Sequence, residues 1–282
     1  MTNYRECRFT AQDGLSLYYR QYGDPLSPNV PVLCLPGLAR NSKDYHRFAS
    51  RISHKHWVVT LDYRGRGQSD YDSDADNYQA PTYISDIHHL LAVTGMHRAV
   101  VVGTSMGGLL AMAMGAAMPS VLAGVVINDI GPDIGGSGIG RIMDYLSKDN
   151  PQPDWDSAVE TFKQMFPTLS FQTDAEWREA TEATWREGEN GQLHYDWDIK
   201  IIEPVLQDKP LPDLWALFRS LRHFPVLAIR GGASDVLTAE TFDRMAEEHP
   251  DLQRLCLDGI GHVPSLIEDA STDAVDEFLD RI

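Results

Sequence analysis

Ser105 stands between two glycines in Gly103-Thr104-Ser105-Met106-Gly107, after an apolar run and before a stretch rich in Ala and Met. A serine hydroxyl is a weak nucleophile until a base removes its proton. Held proud of a sheet at a helix N-terminus, it also gains from the local dipole as negative charge develops. The spacing therefore predicts a nucleophile on a strained strand-to-helix turn. Glycines flank it at ±2 because Cβ atoms there would clash. A plain turn is the competing reading, and the strand-before, helix-after context weighs against it.

Such a serine needs an acid and a histidine, expected in that order further along the chain. Asp258-Gly259-Ile260-Gly261-His262 closes the last strand-like run with a Gly-framed histidine. His262 is the expected general base and then general acid. Ile229-Arg230-Gly231-Gly232-Ala233-Ser234-Asp235 offers Asp235 as the acid that orients it. Asp129, in Ile127-Asn128-Asp129-Ile130-Gly131-Pro132, also ends a strand and is its rival. Asp235 is preferred because Gly231, Gly232 and Ser234 build a turn to present it, leaving Asp129 to structure its loop or floor a pocket. Two backbone N–H groups would hold an oxyanion: Met106, next to the nucleophile, and Leu38, in Leu35-Pro36-Gly37-Leu38. Arg40 and Asn41 follow that loop, where a surface role is preferred over contact with a substrate carboxylate or carbonyl.

The other histidines have weaker claims. His54, His56, His88, His89 and His97 lie on or beside expected helices, and His194, His223 and His249 lack a Gly-framed strand end. Adjacent His88 and His89 would point about 100° apart on a helix and could not share a metal. No metal and no cofactor is expected.

The elements that must position these residues can be read from periodicity. Strands are expected at 7–10, 15–22, 30–35, 57–61, 99–102 and 125–130, with helices at 44–52, 81–95 and 105–118. The alternation implies an α/β fold with a mostly parallel sheet and helices on both faces. From 131 to about 221 the rhythm breaks into amphipathic helices with no comparable strand. One helix, 174–187, opens on a Thr173-x-x-Glu176 capping box. Five of the six tryptophans lie in this segment, and packing is preferred over pocket lining for most of them. The rhythm resumes with strands at 226–229 and 252–257 and helices at 239–248 and 272–282. The expected organisation is a core of 1–130 and 222–282, with a helical insertion at 131–221.

Composition bounds the function. The 282 residues suffice for a full-sized core, and 43% hydrophobic with 23% charged residues is ordinary for a soluble protein. A formal charge of −17 repels phosphate backbones and anionic lipids, so a small-molecule substrate is expected and neither nucleic acid nor membrane. Cys7, Cys34 and Cys256 are dispersed and indicate neither a disulfide framework nor a zinc site, and Cys34 and Cys256, in strand-like runs, are expected as buried, inert thiols. The N-terminal residues show no apolar leader, which makes the cytoplasm the expected location.

These motifs together resemble the capped, serine-nucleophile members of the α/β-hydrolase superfamily. The resemblance rests on Pro36-Gly37-Leu38-Ala39-Arg40, the stretch at 62–70, Gly103 to Gly108, Arg230 to Asp235, and Gly259 to Pro264. It implies an eight-stranded, mostly parallel sheet and a cap near 131–221. Relatives often carry His-Gly where this chain has Pro36-Gly37, but the inferred donor Leu38 survives that change. The 62–70 stretch is read as structural, its arginines pinning loops. Ser105 stands where dehalogenases and epoxide hydrolases of the superfamily carry aspartate, which argues against both. The expected function is a serine hydrolase acting through an acyl-enzyme on a small, mostly apolar substrate. An ester comes first, then a C–C bond of a ring-cleavage product; a thioester or lactone stays open. A small-molecule receptor with weak or no turnover is the reading from another class.

Overall fold

Runs of Val, Ile and Leu without a polar break form strands buried on both faces, and here they make the centre of one sheet. In the computed structural model, residues 3–135, 140, 143, 145–207 and 212–282 are described. The strands are β1 (Tyr4–Thr10), β2 (Ser16–Tyr22), β3 (Val32–Leu35), β4 (Val58–Leu61), β5 (Ala99–Thr104), β6 (Leu122–Asn128), β9 (Val226–Gly231) and β10 (Leu252–Leu257). They join in the order β1-β2-β4-β3-β5-β6-β9-β10. The first two pairings are antiparallel and the other five are parallel. This is the eight-stranded, mostly parallel sheet that the resemblance implies.

Side-chain alternation along the strands feeds two apolar layers. Val32, Cys34, Val100, Val102, Leu227 and Ile229 face α1 (His46–Ile52) and α9 (Asp269–Asp280). Leu33, Leu35, Val101, Ile127, Val226 and Ala228 face the larger layer, with α2 (Ala80–Thr94), α3 (Met106–Ala117) and α8 (Ala239–Glu248). The chain leaves β3 for β4 on one side and returns to β5 on the other. The carboxyl ends of β3 and β5 therefore flank a switch point, where a crevice opens.

Between β6 and β9 lie α4 (Trp155–Met165), α5 (Asp174–Glu182), α6 (Glu203–Leu206) and α7 (Leu214–Arg219). They form a cap-like insertion. Two expectations are corrected here. The helix expected over 174–187 ends at Glu182, and the insertion is not free of strands. Trp185–Glu187 (β7) pairs antiparallel with Leu193–Tyr195 (β8). The cause is burial: Trp185 is fully enclosed, and its indole N–H donates to the Asn150 carbonyl at 3.1 Å. That tertiary anchor outweighs helix propensity at Thr184 and Trp185. The capping box at Thr173 and Glu176 is formed.

A third correction concerns Cys256, which is exposed. β10 is the edge strand, and its outward residues see solvent. Among the described residues no helix is long and apolar enough to cross a membrane.

Candidate active site

β5 delivers the nucleophile candidate and α3 carries the chain away from it. Ser105 sits between them at φ 51° and ψ −117°, a strained conformation for a residue with a side chain. Its amide donates to the Asn128 carbonyl at 2.9 Å, and its own carbonyl accepts from the Gly108 and Leu109 amides. The motif glycines are required by contact. A Cβ on Gly103 would lie 2.3 Å from the Gly107 carbonyl oxygen, and one on Gly107 would lie 1.9 Å from that of Leu35.

The loop after β10 brings His262 back across the end of β9. This approach explains the two glycines of Arg230-Gly231-Gly232. A Cβ on Gly231 would lie 2.6 Å from the carbonyl oxygens of Ile260 and Gly261, and the Gly232 amide donates to Leu257 at 2.7 Å. Asn128 holds the same loop, its side-chain amide donating to the Pro264 carbonyl at 2.9 Å. Nothing in the sequence marked Asn128 for that task.

Ser105 Oγ lies 3.1 Å from His262 Nε2, and His262 Nδ1 lies 2.8 Å from Asp129 Oδ2. A carboxylate only accepts, so Nδ1 carries the proton and Nε2 of the neutral ring is free to take one from the serine. The acid expectation is therefore corrected: Asp129, not Asp235, backs the imidazole. The turn after β9 runs from Gly231 through Ser234 to Asp235. It folds onto Asp129, whose Oδ1 accepts from the Gly231 amide at 2.8 Å and whose Oδ2 also accepts from Ser234 Oγ at 2.6 Å. Asp129 is completely buried and adopts φ 56°, which turns its side chain back beneath His262. Asp235, one residue past Ser234, is half-buried.

The loop after β3 stands opposite the serine. A Cβ on Gly37 would lie 3.7 Å from that of Ser105. The loop is pinned from beneath: Arg66 Nε donates to the Leu38 carbonyl at 2.8 Å, and the Tyr63 hydroxyl donates to that of Pro36 at 3.3 Å. Met106 opens α3, so its N–H has no carbonyl partner within the helix.

Ser105 and His262 share a cavity of ≈ 200 Å³ with Leu38 of this loop and with Leu146, Phe162 and Phe166 of the insertion. Among the described residues no tryptophan lines it. Trp185, Trp197 and Trp215 are instead buried among other aromatic rings.

Arg40 and Asn41 do more than the surface role expected of them. Arg40 grips Asp44 through Nε at 2.7 Å and donates to Thr184 Oγ1 at 2.5 Å. Asn41 is buried and donates to the Ala183 carbonyl at 2.9 Å. Both tie the loop after β3 to the insertion. Burial works against the Arg40 charge, but the Asp44 carboxylate outweighs it and holds the guanidinium more firmly protonated than usual.

The alpha/beta hydrolase family matches residues 32–280. A crystal structure of an alpha/beta hydrolase from Novosphingobium aromaticivorans is 36% identical, covers 100% of both chains and superposes with a TM-score of 0.94. The 3-hydroxybutyrate-oligomer hydrolase of Cupriavidus necator is 29% identical over 271 residues, 92% of this chain and 91% of that protein. Lipase 3 of a Moraxella species is 23% identical over 246 residues, 86% of this chain and 75% of that protein. Kinship with such hydrolases supports ester hydrolysis as the general activity. With a family match over most of its length, the chain belongs to the alpha/beta hydrolase family.

Proposed function

We propose that the protein is a serine carboxylesterase that acts through an acyl-enzyme on Ser105, with residues 131–221 capping the site. The observation that carries this reading is the unbroken hydrogen-bond chain from Ser105 through His262 to Asp129, at a cavity with an apolar wall. Ser105 Oγ attacks the ester carbonyl carbon as its proton passes to His262 Nε2. The carbonyl oxygen takes up the negative charge beside the Leu38 and Met106 amides. Asp129 steadies the imidazolium, which then protonates the departing alkoxide as the C–O bond breaks. Water repeats the sequence: its proton goes to Nε2, its oxygen attacks the acyl carbon, and the acid leaves as Ser105 regains its proton.

The apolar wall favours acyl groups of small to medium size without charge. The Cupriavidus relative's name adds 3-hydroxybutyrate oligomers to the candidates. The test is hydrolysis of p-nitrophenyl esters of increasing chain length and of a 3-hydroxybutyrate dimer. We expect turnover of the shorter p-nitrophenyl esters, with Ser105→Ala losing at least ~1,000-fold in kcat. Turnover that survives in Ser105→Ala would sink the assignment of the nucleophile. Tight binding of a small molecule without turnover of any ester would move the reading to a receptor.

A further inference from the structure

We propose that Ser234 is a fourth member of the hydrogen-bond chain, a positioning residue that aims Asp129 at His262. The proposal rests on the reading of Ser105, His262 and Asp129 just given. Ser234 is almost wholly buried, at 8% exposure. Its Oγ accepts from two amides, Val236 at 3.2 Å and Leu237 at 3.3 Å. A hydroxyl has two acceptor sites and one hydrogen. With both acceptor sites taken, only the hydrogen remains, and it lies on Asp129 Oδ2 at 2.6 Å. The hydroxyl is thus locked as a donor to the oxygen that also receives the His262 Nδ1 proton.

The second carboxylate oxygen is held by the Gly231 amide. One donor on each oxygen fixes the rotation of the carboxylate plane and leaves a single direction open on Oδ2, which the imidazole fills. Without Ser234 the plane is fixed on one oxygen only. The carboxylate can then swing away while the imidazolium forms, when its orientation matters most. This assigns a task to the Arg230-Gly231-Gly232-Ala233-Ser234-Asp235 motif, which supplies the holder of the acid and not the acid.

The experiment compares Ser234→Ala and Ser234→Thr on p-nitrophenyl butyrate, each alone and Ser234→Ala also in the Asp129→Asn background. We expect Ser234→Ala to lower kcat about tenfold with KM within about twofold, the loss of a hydrogen bond to a charged group. Ser234→Thr keeps the hydroxyl and should recover to within about threefold of the parent. A pure packing role predicts the reverse order, because threonine adds a methyl to a filled site. In the Asp129→Asn background, Ser234→Ala should cost less than about twofold, since its effect travels through the missing carboxylate. Wild-type kcat in a folded Ser234→Ala protein would overturn the proposal. So would a full tenfold loss in the Asp129→Asn background, which is decisive even if the threonine variant fails to fold. Either result leaves the Ser105→Ala test of the nucleophile untouched, so the two readings fail separately.

Discussion

At residue scale, Asp129, the proposed acid, owes its aim to one backbone angle. Its φ of 56° folds the side chain back under the histidine, a conformation that costs of order 1 kcal/mol for a residue with a Cβ. Bonds from Gly231, Ser234 and His262 offset that cost. The prediction is specific. Asp129→Asn turns the acceptor facing Nδ1 into a group that can donate, and should lower kcat by ~1,000-fold or more. Asp235→Asn should stay within about threefold, because it is the Asp129 carboxylate that accepts from His262 Nδ1. Steady-state kinetics of both variants on one ester decide the matter, and the opposite ranking would return the role to Asp235. The sequence marks both aspartates as strand-end acids, and it marks the turn after β9. What it cannot display is which atoms of that turn face inward. Ser234 and Asp235 are neighbours in sequence, and only the path of the chain over β9 decides that the hydroxyl points at the site. Ser105 and His262, which the structure brings within 3.1 Å, stand out as candidates in the sequence because glycine spacing and strand-end position constrain them locally.

At element scale, the insertion meets the loop that carries His262. Thr168 of the insertion accepts from the Gly261 amide at 2.9 Å. Next to it, the Glu268 carboxylate receives the hydroxyls of Ser170, Ser265 and Ser271 and the Ser265 amide. Burial alone would push the Glu268 carboxyl up, but the serine hydroxyls outweigh it and hold it below the usual carboxylate range. A depressed carboxylate contributes stability that is present above its unfolded pKa and is lost as pH falls through the folded one. We therefore expect Glu268→Gln to destabilise the protein by about 1–2 kcal/mol at pH 7 and to flatten the acid side of its stability curve. Denaturant unfolding between pH 7 and pH 4 checks this; an acid slope equal to wild type would refute the stabilising role of the Glu268 carboxylate. The insertion was also where periodicity misled. Trp177, Ala180, Thr184 and Trp185 share one helical face in the sequence, yet the chain abandons the helix at Ala183 to bury Trp185. A helical pattern and a buried hairpin residue look alike until the partner strand, β8, is known.

At the scale of the whole molecule, the stretch at 62–70 joins parts that are distant in sequence. Arg64, 1% exposed, forks onto Asp86 of α2 at 2.8 and 2.7 Å and reaches Asp13 and Asp72 at 2.6 Å each. One guanidinium thus fastens the β1–β2 turn, the loop after β4 and a helix. This is the loop-pinning expected of the arginines there, although their partners lie too far along the chain for the sequence to reveal. The arrangement carries more acid than base. Burial pushes the Asp86 carboxyl up even with Arg64 alongside. Arg64→Met fills similar space but leaves three carboxylates without their cation, two of them buried, at a cost of about 3–5 kcal/mol at neutral pH. The carboxyls left behind in the variant should respond to pH with a sign opposite to that of Glu268, although the gap to wild type narrows in acid for both variants. In the variant the buried carboxyls bind protons more tightly folded than unfolded, so acid restores stability as they neutralise. Urea unfolding should therefore give a smaller gap between variant and wild type at pH 5 than at pH 7.5. A gap that is constant or wider at pH 5 would mean that Arg64 acts by packing its stem and not by compensating buried charge.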